Sequence, residues 1–283
     1  MKKTLIAAAV AGAFSLPALT FAADAEPVSP HTLTGNLTLT TDYRFRGITQ
    51  TFEKPAIQGG IDYSHSSGIY LGNWNSNINE GAGFPDGNLE MDFYGGYKAS
   101  FGDFGLDVGA IYYYYPGSDA NTAAGTTFVN PKNGQTHNGS VDNKEIYIGG
   151  TWKFVSLKYY HSVGDYFSLP DTKGSNYIDL SANYDLGNGW GINGHVGSFR
   201  LKDWHAGTDV TDGDYTDYKL GVTKDLKGWL VGLAYVGTNA KGSCDVTNPG
   251  FYCFGNKTPL VAGVTKTRDA GDDTVVLSVT KSF

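Results

Sequence analysis

The chain has 283 residues, including 39 glycines, 19 tyrosines, 15 phenylalanines and only two cysteines, and its formal net charge is −7. This length allows one large barrel or two ordinary domains. The acidic balance excludes a nucleic-acid-binding protein that relies on a basic surface. The many glycines and aromatic residues favour a fold of strands and turns.

The N-terminus has the pattern of a secretory signal peptide. Lys2 and Lys3 precede an apolar run that ends near Leu19, and small residues follow it. This arrangement predicts a signal peptide over residues 1–22, exported by the Sec route and cleaved near Ala22. Loss of the two lysines takes the formal charge from −7 to −9. No later run of eighteen apolar residues remains to form a spanning helix.

After a short periplasmic linker at residues 23–32, the chain alternates apolar and polar residues with a period of two. Leu37 and Leu39 fall on one side of an extended chain, and Thr38 and Thr40 fall on the other. Twelve such segments follow one another, at about 33–46, 57–64, 70–77, 88–100, 105–115, 144–154, 156–166, 175–184, 190–200, 215–224, 229–238 and the C-terminal residues. We therefore predict that residues 33–283 form an all-β, transmembrane, antiparallel up-and-down barrel of about 12 strands.

The apolar face of each segment is expected to contact lipid, and the polar face to line the barrel interior. In the third segment this rule assigns Tyr70, Gly72 and Trp74 to the apolar face, opposite the asparagines at positions 73, 75 and 77. A closed sheet is required because every backbone amide in lipid needs a partner within the protein.

The connections between segments alternate in length. Short ones include residues 66–68 and 225–228, and long ones include residues 117–141 and 239–272. Outer-membrane barrels have short periplasmic turns and longer outer loops, so both termini are predicted to be periplasmic. Trp190 and Trp229 are then expected at the periplasmic interface, and Tyr112 to Tyr115 at the outer one.

The opening strands resemble a known family. The resemblance rests on Asp42 to Gly47, Gln50-Thr51, Pro55 to Gly59, Gly68 to Tyr70 with Trp74 and Ser76, and the C-terminal Thr280 to Phe283. These residues are similar to the signature of the TorF family of porins. The resemblance implies an outer-membrane barrel of Gram-negative bacteria and provides no catalytic residue. Phe283 fits the C-terminal assembly signal of such barrels, whereas Lys281 departs from it.

The sequence gives no enzymatic motif. It contains neither H-E-x-x-H nor G-x-S-x-G, and residues 189–194 match G-x-G-x-x-G only by letters because they open a strand. His161 and Ser162 are adjacent on a strand, so they face opposite sides and cannot pair. The aspartates at positions 209, 212, 214 and 217 are interpreted as a solvated loop rather than a calcium site. We predict no catalytic residue, no cofactor and no metal.

Cys244 and Cys253 lie close together in a polar stretch. An exported protein can oxidise such a pair, so a disulfide is predicted in preference to two free thiols.

Charged and polar side chains are predicted to line the lumen. Arg44 and Arg46 are expected near the outer end of the first strand, where they would help to line a constriction. The candidate pore-lining residues are Asp42, Arg44, Arg46, Gln58, Asp62, Glu90, Asp92, Asp107, Glu145 and Lys153. Facing charges of opposite sign would create a transverse field and select among ions.

Two functions follow from this reading. The first is a porin-like channel for passive diffusion of small hydrophilic solutes or ions. The alternative is a filled structural or surface-binding barrel that acts through its outer loops, because a twelve-strand barrel lies between filled and open sizes.

The long third and sixth loops are expected to fold inward over the mouth of the barrel. The predicted partners are outer-membrane lipid, small solutes and, during biogenesis, the barrel-assembly machinery, with no nucleic acid.

Overall fold

The computed structural model describes residues 29–120, 128–204, 212–245, 247, 249–257 and 265–283. The predicted signal peptide lies outside the described residues, as does most of the predicted linker. The first strand begins at His31, two residues before the predicted start of the barrel.

Twelve strands close into an antiparallel barrel in which sequence neighbours are also sheet neighbours, and the first strand pairs with the last. This confirms the predicted fold. The barrel strands are β1 (His31–Thr40), β2 (Ala56–His65), β3 (Ile69–Asn77), β4 (Leu89–Phe101), β5 (Phe104–Tyr114), β6 (Asp142–Trp152), β7 (Val155–Ser162), β8 (Asn176–Gly187), β9 (Trp190–Arg200), β10 (Tyr215–Asp225), β11 (Trp229–Thr238) and β12 (Thr274–Ser282).

The seam between β1 and β12 extends to the last residue of the chain. Leu37 pairs with Lys281, and the backbones of Gly35 and Phe283 exchange two hydrogen bonds of 2.7 and 3.0 Å. Closure leaves no bare edge on the sheet, which is the condition for a sheet that spans lipid.

The two ends of the barrel differ. We call the end with the short connections the turn end; it also carries β1's start and β12's finish. The opposite end, here called the loop end, carries the six long connections, residues 41–55, 78–88, 115–141, 163–175, 201–214 and 239–273. The loops hold short elements: hairpins Arg44–Phe45 with Ile48–Thr49, Phe128–Val129 with Thr136–His137 and Cys253–Lys257 with Thr265–Asp269, and 3-10 turns Glu80–Ala82 and Tyr166–Ser168.

The outer wall is apolar and exposed. Leu33, Ile57 and Leu220 are 70%, 62% and 62% exposed, although each lies in a regular strand. Large apolar side chains on a water-facing sheet would form a patch of the kind that marks lipid or partner contact. Within the described residues, no helix is long and apolar enough to cross a membrane.

The third strand reverses the predicted faces. Tyr70 is buried inside the barrel, whereas Leu71 is 59% exposed on the outside. Asn73 and Asn75 therefore share the outer face with Leu71, and they remain half-buried because their amides donate to the backbone oxygens of Asp92 and Gly59. Backbone hydrogen bonds of this kind allow a short polar side chain to occupy a face that the alternation assigns to apolar residues.

Aromatic side chains collect at both ends of the outer wall. Trp152, Tyr184, Trp190 and Trp229 are exposed at the turn end. At the loop end, strand alternation divides the predicted group: Tyr114 faces outward, whereas Tyr113 and Tyr115 are buried inside.

The disulfide between Cys244 and Cys253 is present, with a Cα–Cα distance of 5.1 Å. It confirms the predicted pairing and closes a short loop within the last long connection.

Candidate functional site

The barrel interior contains nearly all of the predicted lumen residues. Strand residues among them face inward: Gln58, Asp62, Glu90, Asp92, Asp107 and Glu145. Lys153 is the exception, and its assignment to the lumen is wrong. The β6 ladder ends at Trp152, and Lys153 lies in the following turn with φ of 54° and a half-exposed side chain.

The first long connection enters the barrel instead of extending the first strand. We call residues 41–55 the in-folded segment. β1 ends at Thr40, and the Asp42 carboxylate accepts hydrogen bonds from the hydroxyls of Thr49 and Thr51 at 2.6 and 3.0 Å. These bonds tie the two ends of a small hairpin together, so Arg44 and Arg46 lie on the hairpin and not on a barrel strand.

The tip of this hairpin is a tight two-residue turn. Arg46 and Gly47 both have positive φ, at 48° and 81°. This geometry matches the primed turns that suit a two-residue hairpin, and it explains a glycine at the second position. A Cβ at Gly47 would come within 2.4 Å of Thr238 and 2.8 Å of Asp217, so the tip abuts the wall of β10 and β11.

Arg46 reaches the opposite wall of the barrel. Its guanidinium donates two hydrogen bonds to the Glu145 carboxylate on β6, at 3.1 and 2.7 Å. It also lies 4.4 Å from the centre of the Tyr177 ring on β8 and 5.1 Å from that of Tyr160 on β7. In a twelve-strand ring, β7 is opposite β1. The in-folded segment therefore crosses the lumen.

Arg44 holds the base of the same hairpin. It pairs with Asp42 at 2.5 Å and donates to the backbone oxygens of Gly47, Ala270 and Asp272. Arg44 and Arg46 are 6% and 8% exposed. Both arginines thus have several partners inside the protein, which differs from the predicted arginines that line an open constriction.

Aromatic side chains from other loops pack around the hairpin at the loop end. Phe167 is central to them, with ring contacts to Phe45, Phe84 and Tyr113 at 5.6–5.9 Å. Described parts of the third and sixth loops also contribute buried residues, including Val141 and Tyr252. The expected inward folding of those loops is therefore seen in part, but the segment that crosses the lumen comes from the first loop.

Charged side chains also follow the wall itself. We call Lys98, Asp107, Lys158, Asp179, His195, Asp217 and Lys219 the charge row. Strand pairing links Lys98, Asp107, Lys158, Asp179 and Asp217 in that order, directly or through an intervening glycine, and His195 pairs with Lys219 beside them.

The ion pairs described within the charge row join neighbouring or next-neighbouring strands. Lys158 Nζ lies 2.7 Å from Asp107, and the two His195 nitrogens lie 2.6 Å from Asp179 and 3.2 Å from Asp217. These side chains are partly exposed, apart from Asp217. Such contacts run along the wall and do not cross the lumen.

Inward tyrosines lie flat over glycines of the adjacent strand. Tyr94 is paired with Gly72 and Tyr147 with Gly109. A Cβ on Gly72 would lie 2.3 Å from the Tyr94 ring, and a Cβ on Gly109 would lie 2.5 Å from the Tyr147 hydroxyl. Each ring can therefore lie against the wall only because the residue opposite it has no Cβ. The sequence reasoning missed this arrangement, whose signal is an inward tyrosine directly opposite an inward glycine.

The hydroxyls of the flat tyrosines reach lumen acids. Tyr94 donates to Asp62 at 2.5 Å, Tyr70 to Asp107 at 2.6 Å, and Tyr177 to Asp217 at 2.9 Å. The rings therefore stay against the wall, and the acids keep a fixed position.

A small cavity of about 30 Å³ lies between the in-folded segment and the wall of β9–β12, and its lining is more apolar than polar. Arg44 and Asp42 border it on one side, and small wall residues such as Ala234 and Ser278 border it on the other. Lys219 of the charge row also lines it, so the cavity connects the two charged regions.

The arrangement offers an electrostatic surface for solutes and ions. The described residues contain no cluster of three or more His, Cys, Asp or Glu side chains with metal-binding geometry. In the calcium-like loop considered above, Asp209 lies outside the described residues, and Asp217 faces the lumen on β10.

The chain is similar to several solved structures. The NanC porin matches with a TM-score of 0.48 and 8% identity, covering 89% of this chain and 99% of that one. OmpT, an outer membrane protein of Vibrio cholerae, matches with a TM-score of 0.41 and 9% identity, and the match covers 89% of this chain and 97% of that one. The toluene transporter TodX of P. putida matches with a TM-score of 0.41 and 11% identity, and the match covers 91% of this chain and 90% of that one. A search of curated protein sequences finds no match.

One family model covers nearly the whole chain. It is described as a bacterial protein of unknown function, Gcw_chp, and it matches residues 24–283. The matched range includes every barrel strand, the in-folded segment and the charge row. The chain therefore belongs to the Gcw_chp family of bacterial proteins.

Proposed function

We propose that this protein is an outer-membrane channel of the porin type, through which small hydrophilic solutes or ions diffuse passively. The observation that carries the proposal is the cavity between the in-folded segment and β9–β12. Its wall has small side chains, including Gly221, Gly232 and Ala234, and its opposite side has the Arg44–Asp42 pair. Small wall residues opposite a charged pair leave a path beside the in-folded segment, and Lys219 adds a further charge to it.

The membrane placement follows from the wall. Exposed apolar side chains form a belt, and aromatic rings lie at both of its ends, as expected for a barrel held in lipid. We place the turn end and both termini in the periplasm and the loop end outside, because short turns face the periplasm in such barrels. Export through a signal peptide at residues 1–22 and insertion by the barrel-assembly machinery belong to the same proposal.

The solute path runs beside the in-folded segment, not through the centre of the barrel. Arg46 is anchored to Glu145 and closes the centre, whereas Arg44 borders the cavity. We therefore retain Arg44 and Asp42 as pore-lining residues and assign Arg46 to anchoring. The resemblance to TorF porins supports the same class of function.

The test uses cysteine accessibility during single-channel recording. Ser278→Cys places a thiol in the cavity, and Ser181→Cys, on the inward face of β8 outside the cavity, is the matched control. The native cysteines are joined in a disulfide, so the introduced thiol is the reactive one. A negatively charged thiol reagent should reduce the current of Ser278→Cys by more than half and leave Ser181→Cys nearly unchanged.

Other results would reject the proposal. Equal block of both variants would reject the eccentric path, because it would mean that solutes also pass along β8. A folded, inserted protein that conducts no ions would reject the channel. The aromatic packing around Phe167 favours a filled structural or surface-binding barrel in that case, and removal of the outer loops should then abolish binding without any change in conductance.

A further inference from the structure

Two carboxylates are buried on the inner face of β4 with few partners. Glu90 and Asp92 occupy alternate positions of the strand, and each is 1% exposed. Glu90 Oε1 accepts a hydrogen bond of 2.9 Å from the Tyr115 hydroxyl. Glu90 Oε2 and both Asp92 carboxylate oxygens make no hydrogen bond of standard geometry with the described residues. Buried carboxylates in this state are unfavourable unless something neutralises them.

The nearby arginines have other carboxylate partners. Arg46 is paired with Glu145, and Arg44 is paired with Asp42. Among the described residues, no basic side chain is within ion-pair distance of Glu90 or Asp92. No basic side chain among the described residues therefore balances the two β4 carboxylates when they are ionised.

An amide side chain on a nearby strand is a further buried polar group without a partner. Asn143 faces inward from β6 and is 1% exposed, and neither its Oδ1 nor its Nδ2 has a hydrogen-bond partner. Tyr113 pairs with Asp92 on one side and with Asn143 on the other, so the three share one level of the wall. Tyr113 donates its hydroxyl to Glu145, which leaves the Asp92 and Asn143 side chains without a bond to it.

Two tyrosines from the loops lie over the carboxylates. Burial and the charges of Glu90 and Asp92 raise the pKa of Tyr43 and of Tyr115 well above the usual value. Both hydroxyls therefore stay neutral, and neither can balance the negative charge. Tyr43 belongs to the in-folded segment, so a ligand at this place would also contact the segment that crosses the lumen.

We propose that Glu90, Asp92 and Asn143 form a binding site for one calcium ion inside the barrel. Carboxylate and amide oxygens are ligands that Ca²⁺ prefers, and a divalent cation matches the two unbalanced charges. Shared protons on the carboxyl groups would neutralise Glu90 and Asp92 but would leave the Asn143 amide oxygen without a partner. A cation accounts for both carboxylates and for that amide oxygen.

The experiment measures Ca²⁺ binding to the lipopolysaccharide-free, refolded protein in detergent at pH 7, after treatment with EDTA. Equilibrium dialysis with radioactive Ca²⁺ should give one site per barrel. Asp92→Asn and Glu90→Gln should each weaken binding at least tenfold. Asp107→Asn is the matched control, because Asp107 is a lumen acid that Lys158 already neutralises, and its binding should equal that of the wild type.

Thermal unfolding gives a second readout that does not depend on solute transport. Ca²⁺ should raise the Tm of the wild type and leave that of Asp92→Asn unchanged, because a ligand stabilises only the state that binds it. If Asp92→Asn does not fold, Asn143→Ala takes its place in both measurements.

Three results would overturn the inference. The first is a wild type that binds no Ca²⁺, and the second is equal binding by Asp92→Asn. The third is a Tm that rises as the pH falls below 7 but does not respond to Ca²⁺, which would identify shared protons as the neutralising group. Binding of Mg²⁺ with no binding of Ca²⁺ would reject the choice of calcium.

Discussion

The in-folded segment and the charge row neutralise their charges in opposite ways. Arg46 extends across the lumen to Glu145 on the far wall, and both side chains are buried. Lys158 and Asp107 face the lumen from β7 and β5, and their contact stays on the same side of the barrel. One arrangement occupies the centre of the barrel, and the other leaves it free of side-chain bridges.

This difference separates two tasks within one lumen. A buried two-bond ion pair fixes a segment in place, because either charge left alone would be strongly unfavourable. A partly exposed pair on the wall contributes little to stability but keeps its field directed at the lumen. Closure of the lumen centre and selection among ions therefore depend on different residues, and substitutions should affect the two properties independently.

The largest effect is expected for Arg46→Ala. The substitution leaves Glu145 buried and unpaired, which costs about 3–5 kcal/mol of unfolding free energy, and it frees the tip of the in-folded segment. We expect a conductance several-fold above that of the wild type, measured by single-channel recording, and a lower urea midpoint. Arg200→Ala, at a highly exposed arginine, is the control. An unchanged conductance would show that Arg46 does not hold the segment across the lumen.

The next effect concerns the disulfide at the loop end. Replacing Cys244 and Cys253 together by serine removes a cross-link that spans nine positions of sequence, worth about 2–3 kcal/mol in the chain-entropy model. The loss should increase proteolytic cleavage of the last loop. Ion selectivity should stay that of the wild type, because the disulfide lies apart from the charge row. A change in selectivity would mean that the loop end also selects ions.

A smaller effect is expected where tyrosine rings lie on glycines. Gly109→Ala places a Cβ about 2.5 Å from the Tyr147 hydroxyl, so the ring must leave the wall, at a cost of about 1–3 kcal/mol. The strain should lower the urea midpoint of unfolding. Gly150→Ala on β6 is the control, since its Cβ meets no atom within 4 Å. Equal midpoints in both variants would contradict the wall position of Tyr147.

The smallest change in stability is expected for Lys158→Ala. The pair with Asp107 is partly exposed, so its loss should cost no more than about 1 kcal/mol. The lumen loses one positive charge, and the reversal potential in a salt gradient should shift toward cation selectivity. Lys144→Ala removes the same charge from the outer face of β6 and should leave the potential unchanged. A shift in both variants would assign the effect to overall charge.

Much of the barrel could be predicted because a strand repeats every two residues. Leu37 and Leu39 on β1, or Leu220 on β10, reveal their face from their immediate neighbours, and the lengths of the connections reveal which end they occupy. The faces predicted for the third strand were wrong because the amides of Asn73 and Asn75 donate to backbone oxygens of neighbouring strands. Such partners cannot be read from the residues next to them in sequence.

The path of the in-folded segment could not be predicted in the same way. Its main anchor joins Arg46 to Glu145, which lies 99 positions later in the chain. Alternation continues through Arg44 and Arg46 as if the first strand did not end, and the bend after Thr40 depends on hydroxyls at positions 49 and 51. Lys153 was placed on β6 for a related reason, since only its positive φ shows that the ladder has ended.

The tyrosine–glycine pairs also bear on how the barrel acquires its diameter. A strand that slips by two residues keeps its inner face, so hydrophobicity alone does not oppose the error. Slippage would nevertheless move the Tyr94 ring from Gly72 onto Tyr70 or Trp74, and the Tyr147 ring from Gly109 onto Asp107 or Ile111. Steric fit at these sites therefore selects one stagger between strands. Because stagger and strand number together set the shear and hence the width of a barrel, these glycines help to determine the size of the lumen during assembly.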